Sequence, residues 1–434
     1  MKLQFSTIKI WVFVCLMAWI GTAAAQQIVQ VSIGQGYGRQ SFYKLSNDDT
    51  TMIAGNSWDL AFTVYGLQDA GVHLNETSVT NFAAPAAQME LYLSSATDWS
   101  VTPDTSNLGS KQWNLESTWA YGAFNNSRSP ANPFDYGWGV YSPQQNQVVG
   151  SKIFVIKLLT GEYRKLQIQS LVHPNYTFRH AKLDGSDEKT VTVNKAAFPG
   201  KVLAYYSFAL DSVLDLAPAA HDLWFGRYFT PLDDSTGTGT FVDYSVTGVL
   251  HNRGVTVAEV RGVAPASAQA PTRADSFKTR LDIIGHDWKT FNFQTGWTIQ
   301  PDQTFFVKTA DQNLWKLVFI DFEGSTTGVI TFEKTDLGTF TSLDAEVTGV
   351  AGWKAFPTRV TDELNVSVDA TRAGSAAVQI LTTDGRVVRS YQQNIQPGLQ
   401  VWALEGLSGL ANGVYFIGLE INGQRHYQRF VVAQ

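Results

Sequence analysis

Apolar and polar positions alternate along most of this chain in short runs broken by turn residues. Ile28 to Ile33 alternates, and Gly34-Gln35-Gly36-Tyr37-Gly38 breaks the run. Trp58 to Val64 alternates again, and a period of two puts Trp58, Leu60 and Phe62 on one face of a strand with Asp59 and Ala61 on the other. Ile153 to Ile156 and Lys165 to Leu171 read as a hairpin around Leu159-Thr160-Gly161-Glu162. Further strands are predicted at Thr190 to Val193, Tyr244 to Leu250, Gly254 to Val260, Phe305 to Lys308, Trp315 to Phe322 and Val329 to Phe332. Ser276 to Ile284 is the exception, reading as a short helix capped by Ser276 and stopped by Gly285. From about Gly352 the runs become regular, with hairpin dipeptides at Asp384-Gly385 and Asn422-Gly423 and a turn at Asn412-Gly413, the pattern of a small β-sandwich. The fold class expected is all-β.

Two stretches repeat. Asp59-Leu60-Ala61-Phe62 with Tyr65 matches Asp222-Leu223-Trp224-Phe225 with Tyr228, and Tyr43 matches Tyr206, all at one offset of 163. Val155-Ile156-Lys157 followed by Lys165-Leu166 matches Val307-Lys308 followed by Lys316-Leu317. Solenoid periods run about 20–50 residues, so this is a duplicated domain-sized unit. The organisation expected is a leader at 1–25, a first unit at 26–205, a second at 206–338, a linker at 339–351 and a C-terminal domain at 352–434.

Composition sharpens the picture. Aromatic residues make up 13% of the chain, enough with the other apolar residues for packed cores. Lys2 and Lys9, the apolar run Ile10 to Ile20 and Ala23-Ala24-Ala25 have the form of a secretory signal peptide, too short for a membrane span. Cys15, the single cysteine, lies within it, so the exported chain has no disulfide and no thiolate chemistry. Losing Lys2 and Lys9 takes the net charge from -6 to -8, which argues against a nucleic-acid partner. Neither a nucleophile elbow, a His-Glu-x-x-His helix nor a phosphate-binding loop is present, and the expectation is a protein without catalysis.

Phe356-Pro357, Asp362-Glu363-Leu364-Asn365-Val366, Asp384-Gly385-Arg386-Val387-Val388 and Gly413-Val414-Tyr415-Phe416 resemble the C-terminal sorting domain of type IX secretion cargo in Bacteroidetes, with Thr358-Arg359 where that family usually has Asn-Pro. The resemblance implies the type IX secretion machinery as a partner, and a place on the cell surface, at the outer membrane, or free outside the cell.

Trp58-Asp59-x-Ala61, Asp222-Leu223-x-Phe225-x-Arg227-Tyr228, Phe305-Phe306-Val307 and Lys316-Leu317-x-Phe319-x-Asp321 resemble the HmuY family of haem-binding surface proteins, here as two tandem copies. That resemblance implies an all-β fold with a haem or porphyrin cleft, and an activity of ligand capture. In the family a pair of histidines or methionines lies between the two signatures. His221 stands here where the family has Trp, and Gly226 where it has His.

Haem capture needs axial donors in an apolar slot and cations for the propionates. His251, with Arg253 beside it, and His286, next to Trp288, are the candidate ligands, and His73 in the first unit has a comparable context to His251. The competing reading makes each a histidine capping a strand. An alternative of a different class is a surface adhesion or glycan-binding protein without haem, using the aromatics of residues 103–150 such as Trp119 and Trp138. Asp184-Gly185-Ser186-Asp187-Glu188 reads as a solvated hairpin tip rather than a calcium loop. Asp59 and Asp222 are expected to accept hydrogen bonds from neighbouring turns.

Overall fold

A computed structural model describes residues 26–66, 69–78, 88–233, 239–340, 350–370, 373–421 and 424–433. The expected leader, most of the linker and the Asn422-Gly423 turn fall outside these. The chain is all-β, and among the described residues the only helical segments are three-residue 3-10 turns. The expected helix at Ser276 to Ile284 is not formed. Ala274–Ser276 and Leu281–Ile283 are 3-10 turns, and Lys278 between them exchanges two backbone hydrogen bonds with Val257. The apolar residues of this stretch face two cores: Phe277 packs with Phe306, and Ile284 with Trp288.

The duplication is visible in the sheets. One five-stranded antiparallel sheet runs Gln26–Ser32, Val329–Thr339, Asn313–Phe322, Gln303–Lys308, Thr256–Arg261. Its counterpart runs Lys189–Asn194, Asn175–Lys182, Tyr163–Val172, Phe154–Lys157, Glu90–Leu93, extended by the hairpin Gly139–Ser142 and Gln147–Gly150. Two four-stranded sheets match in the same way. Phe241–His251, Leu223–Asp233, Arg39–Tyr43 and Thr50–Ala54 form one, and Val72–Leu74, Leu60–Thr63, Leu203–Ser207 and Ser212–Leu214 the other.

The unit boundary expected between 205 and 206 does not divide these sheets. Residues 26–54 pair with 223–339, whereas strands from Leu60 to Leu214 pair among themselves. One lobe is therefore contiguous, and the other is closed by the start of the chain lying against its last long strand. A strand with an open edge exposes unpaired N–H and C=O groups, and this closure covers those of Val329–Thr339.

Each lobe has its own core. Leu60, Phe62, Phe154, Ile168 and Phe178 anchor the contiguous lobe, and Leu223, Phe225, Phe305, Leu317 and Phe332 the other. Burying each such side chain contributes about 1.5–3 kcal/mol. A third cluster, including Phe42, Trp58, Ala61, Tyr205, Trp224 and Leu250, joins the lobes. Along Leu223–Asp233 alternate residues serve different cores: Leu223 and Phe225 one lobe, Trp224 and Tyr228 the join. A strand covered on both faces reads as a continuous apolar run, as Leu223 to Tyr228 nearly does. Trp58 departs from the expected common face with Leu60 and Phe62. It precedes the strand, which begins at Leu60, and its ring packs in the join.

The C-terminal domain packs a three-stranded sheet, Val350–Phe356, Leu364–Ala370 and Gly398–Leu404, on a five-stranded one. Leu364, Val366 and Val368 point into its core while Asn365 and Ser367 are half-buried, as the alternation predicts.

Candidate functional site

The join between the lobes holds a cleft of about 70 Å³, open at its mouth. Its walls come from equivalent positions of the two repeats. Phe42 meets His221 edge-on at 4.9 Å, and Tyr205 meets Trp58 at 5.1 Å, so the same contact is made twice with the repeats exchanged. Trp119 and Trp224 add two further indoles. Trp224 lies across Gly226, where a Cβ would come within 2.3 Å of its ring. Gly226 stands where the first repeat has Thr63, and the missing side chain lets this indole lie flat.

Most polar groups of the lining are occupied in holding the lobes. Asn75 donates to the Trp58 carbonyl and Asn252 to the His221 carbonyl, each at 2.7 Å. Trp58 Nε1 donates to Gln40 Oε1, and Trp119 Nε1 to the His251 carbonyl. Glu76 is buried, and its two oxygens accept from the backbone N–H groups of Phe229 (3.0 Å) and Asn114 (2.7 Å), one on each lobe. Burial pushes its pKa up to about 8 against the pull of these bonds.

Several groups on the lining keep hydrogen-bonding capacity beyond these bonds among the described residues. Tyr228 Oη is buried and has no partner among the described residues. His221 Nδ1 sits 2.9 Å from the Pro218 carbonyl. A carbonyl only accepts, so Nδ1 carries the proton and Nε2 keeps a lone pair. His73 Nε2 is 3.1 Å from the Trp119 carbonyl, which by the same reasoning leaves the lone pair on Nδ1. Burial depresses both imidazoles to about 4, so both are neutral at physiological pH. At the mouth the Glu116 carboxyl is half-buried, and burial raises its pKa, with Asp282 and Asp243 adding to the rise and Arg280 opposing it. Arg280 is itself paired with Asp282.

The other candidate ligands lie elsewhere. Both ring nitrogens of His251 face carbonyl oxygens, Asn252 at 3.1 Å and Arg280 at 2.6 Å, so neither nitrogen is open to a ligand. Arg253 pairs with Asp69 and stacks on Tyr65, committed to the contiguous lobe. His286 is half-buried, with its ring 6.4 Å from that of Tyr228, and is not among the cleft residues. The register explains the difference between His73 and His251. Leu60 pairs with Leu74 and Leu223 with His251, so His73 corresponds to Leu250, and the two histidines point to opposite faces. Among the described residues no three metal-ligating side chains cluster. His221 carries no ligand signal in the sequence, where it stands at the position that the first repeat gives to Trp58.

Of the aromatics expected to serve adhesion, Trp138 is fully buried and donates to the Ala70 carbonyl, whereas Trp119 lines the cleft. The acidic turn at Asp184 is a hairpin tip: Asp184 accepts from Ser186, and Asp187 pairs with Arg164.

Residues 354–433 match the family described as the secretion system C-terminal sorting domain. The chain therefore carries a type IX sorting domain, and it is exported to the cell surface or beyond. No curated protein matches the chain. Among solved structures, PorZ, a surface component of the type IX secretion system of Porphyromonas gingivalis, is 14% identical, with a TM-score of 0.16, over 68% of this chain and 41% of its own. An Escherichia coli alpha-2-macroglobulin activated by porcine elastase is 9% identical, with a TM-score of 0.15, over 94% of this chain and 44% of its own. The chain spans less than half the length of either, and at these scores neither likeness carries an argument.

Proposed function

We propose that this exported protein captures a small ligand, without catalysis, in the cleft between its two lobes. The observation that carries the reading is the pairing of an aromatic wall drawn from both repeats with a buried Tyr228 hydroxyl that has no partner among the described residues. A buried polar group left unpaired costs about 1–3 kcal/mol, a cost that a ligand hydrogen bond offsets. Pockets of this kind, apolar with a few convergent polar atoms, are where small molecules bind. The test is a ligand titration of the whole protein followed by tryptophan fluorescence, since Trp58, Trp119 and Trp224 line the cleft. Signals that saturate in the native protein and vanish in Trp224→Ala support capture there, and signals unchanged in that variant overturn it.

Haem, the ligand implied by the HmuY resemblance, is a second reading with one observation in its favour. His73 and His221, one from each lobe, line the same cleft and each keeps one unprotonated ring nitrogen. They would take the place of the His251 and His286 pair, and haem would supply only binding and colour. A haemin titration followed at the Soret band in both oxidation states decides. A saturable band lost in His221→Ala supports haem, and a featureless titration of folded protein removes it.

A further inference from the structure

We infer that the hairpin of Lys289–Asn292 and Gly296–Ile299 is a lipid-docking element, whose tip enters the headgroup region of a bilayer and holds the exported protein against it. The inference is independent of the cleft.

Among the described residues the two strands pair only with each other, as a sheet of their own. At the turn Phe293 is 97% exposed, with Phe291 at 52% and Trp297 at 36% on the strands beside it. Phe291 lies 5.3 Å from Phe293 and 5.0 Å from Trp297, ring to ring, so the tip presents one aromatic cluster. The foot is fixed in the lobe. Trp297 packs edge-on against Phe322 at 4.9 Å, and the buried Lys289 ammonium donates to the Thr247 carbonyl at 2.6 Å.

Three properties of the tip name its occupant. From Thr290 to Pro301 no residue is charged, so entry into a bilayer strips no ion of its water. The turn also meets its own backbone needs, because Asn292 Oδ1 accepts from the N–H groups of Gln294 at 2.7 Å and Thr295 at 3.3 Å. Backbone donors that enter lipid must be satisfied from within.

The third property is area. At about 200 Å² for a whole ring residue, the exposed fractions of the three rings give about 400 Å². Each side of a stable protein–protein interface buries roughly 800 Å². The patch is too small for a second copy of the chain, but it suits a lipid surface, where aromatic side chains settle at headgroup level and need no complementary shape. The sorting domain exports the chain to the cell surface or beyond, which brings the hairpin to the outer face of the outer membrane.

Co-sedimentation of the whole protein with phosphatidylcholine vesicles is the test, with Phe293→Ser as the variant and Leu210→Ser, at an exposed apolar position of the other lobe, as the control. Phe293 belongs to no core, so its variant keeps the fold. The native protein and Leu210→Ser are expected to bind alike at low and high salt, and Phe293→Ser about tenfold or more weakly. Vesicle binding that Phe293→Ser leaves unchanged, or that high salt abolishes, overturns the inference. Absence of vesicle binding by the folded native protein overturns it too, and self-association lost in Phe293→Ser would then assign the tip to a second copy.

Discussion

Asp59 accepts the backbone N–H of Phe208 through Oδ2 at 2.7 Å, from a segment of the other repeat 149 residues along the chain. Asp222 accepts from Leu45 in the same way at 2.9 Å. The backbone repeats the exchange: Asp59 N–H donates to Tyr206 and Asp222 N–H to Tyr43. Each repeat thus lends its opening strands to the other lobe, and the recurring aspartates fasten the exchange.

Removing either fastener should cost stability without changing the fold. Asp59→Ala and Asp222→Ala each leave a backbone N–H short of a partner, and a loss of about 1–3 kcal/mol is expected in urea unfolding. A double mutant losing the sum of the two would show that the exchanges act independently.

Deleting residues 26–32 should damage the two lobes unequally. That strand carries Val31 into the core of the discontinuous lobe and covers the edge of Val329–Thr339. Hydrogen exchange should then rise across 303–339 while the strands of 154–182, whose edge is closed by Lys189–Asn194, keep their protection.

Glu76 gives the join a pH dependence of definite sign. Its folded pKa of about 8 exceeds the ordinary value of 4.5. Between those values the folded state holds a proton that the unfolded state has lost, so stability falls as pH rises through the window. The slope approaches about 1.4 kcal/mol per pH unit for one proton, discounted by any relaxation around the group. Glu76→Gln should flatten it, at the cost of one hydrogen bond, because an amide nitrogen cannot accept from a backbone N–H.

The histidines act in the opposite window. His73, His180 and His221 are depressed to about 4, chiefly by burial, from an ordinary 6.5. Their contribution is complete above about 6.5 and is lost as pH falls towards 4, where the unfolded state takes up protons first. Thermal melts should show stability dropping across that range, with a shallower drop in His180→Gln.

Gly226→Val tests the cleft without touching its polar groups. A side chain there collides with the Trp224 ring. The indole should turn, with binding falling by about tenfold or more and the unfolding midpoint shifting by a smaller margin, about 1–3 kcal/mol in stability.

The all-β class, the duplication and the sorting sandwich were legible in the sequence because each is local. Alternation sets which residues can share a face, turn dipeptides end strands, and a fixed offset survives in the residues that make the same bond twice. Lys157 and Lys308, matched by interval alone, occupy equivalent ends of equivalent strands. The helix expected at Ser276 to Ile284 failed because pairing with Val257 and burial of Phe277 outweigh a cap and a stop signal.

Which strands belong to which lobe, and which histidine faces the cleft, only the tertiary structure decided. Strand pairing is a long-range choice: the Gln26–Ser32 strand lies beside residues some 300 positions away, and no local pattern specifies that partner. A histidine's availability turns on what its two nitrogens meet. His251 and His221 look alike in sequence, but carbonyls cover both nitrogens of the first and only one of the second. Periodicity sets the side of a strand on which a residue stands, whereas the atoms it meets there come from the rest of the fold.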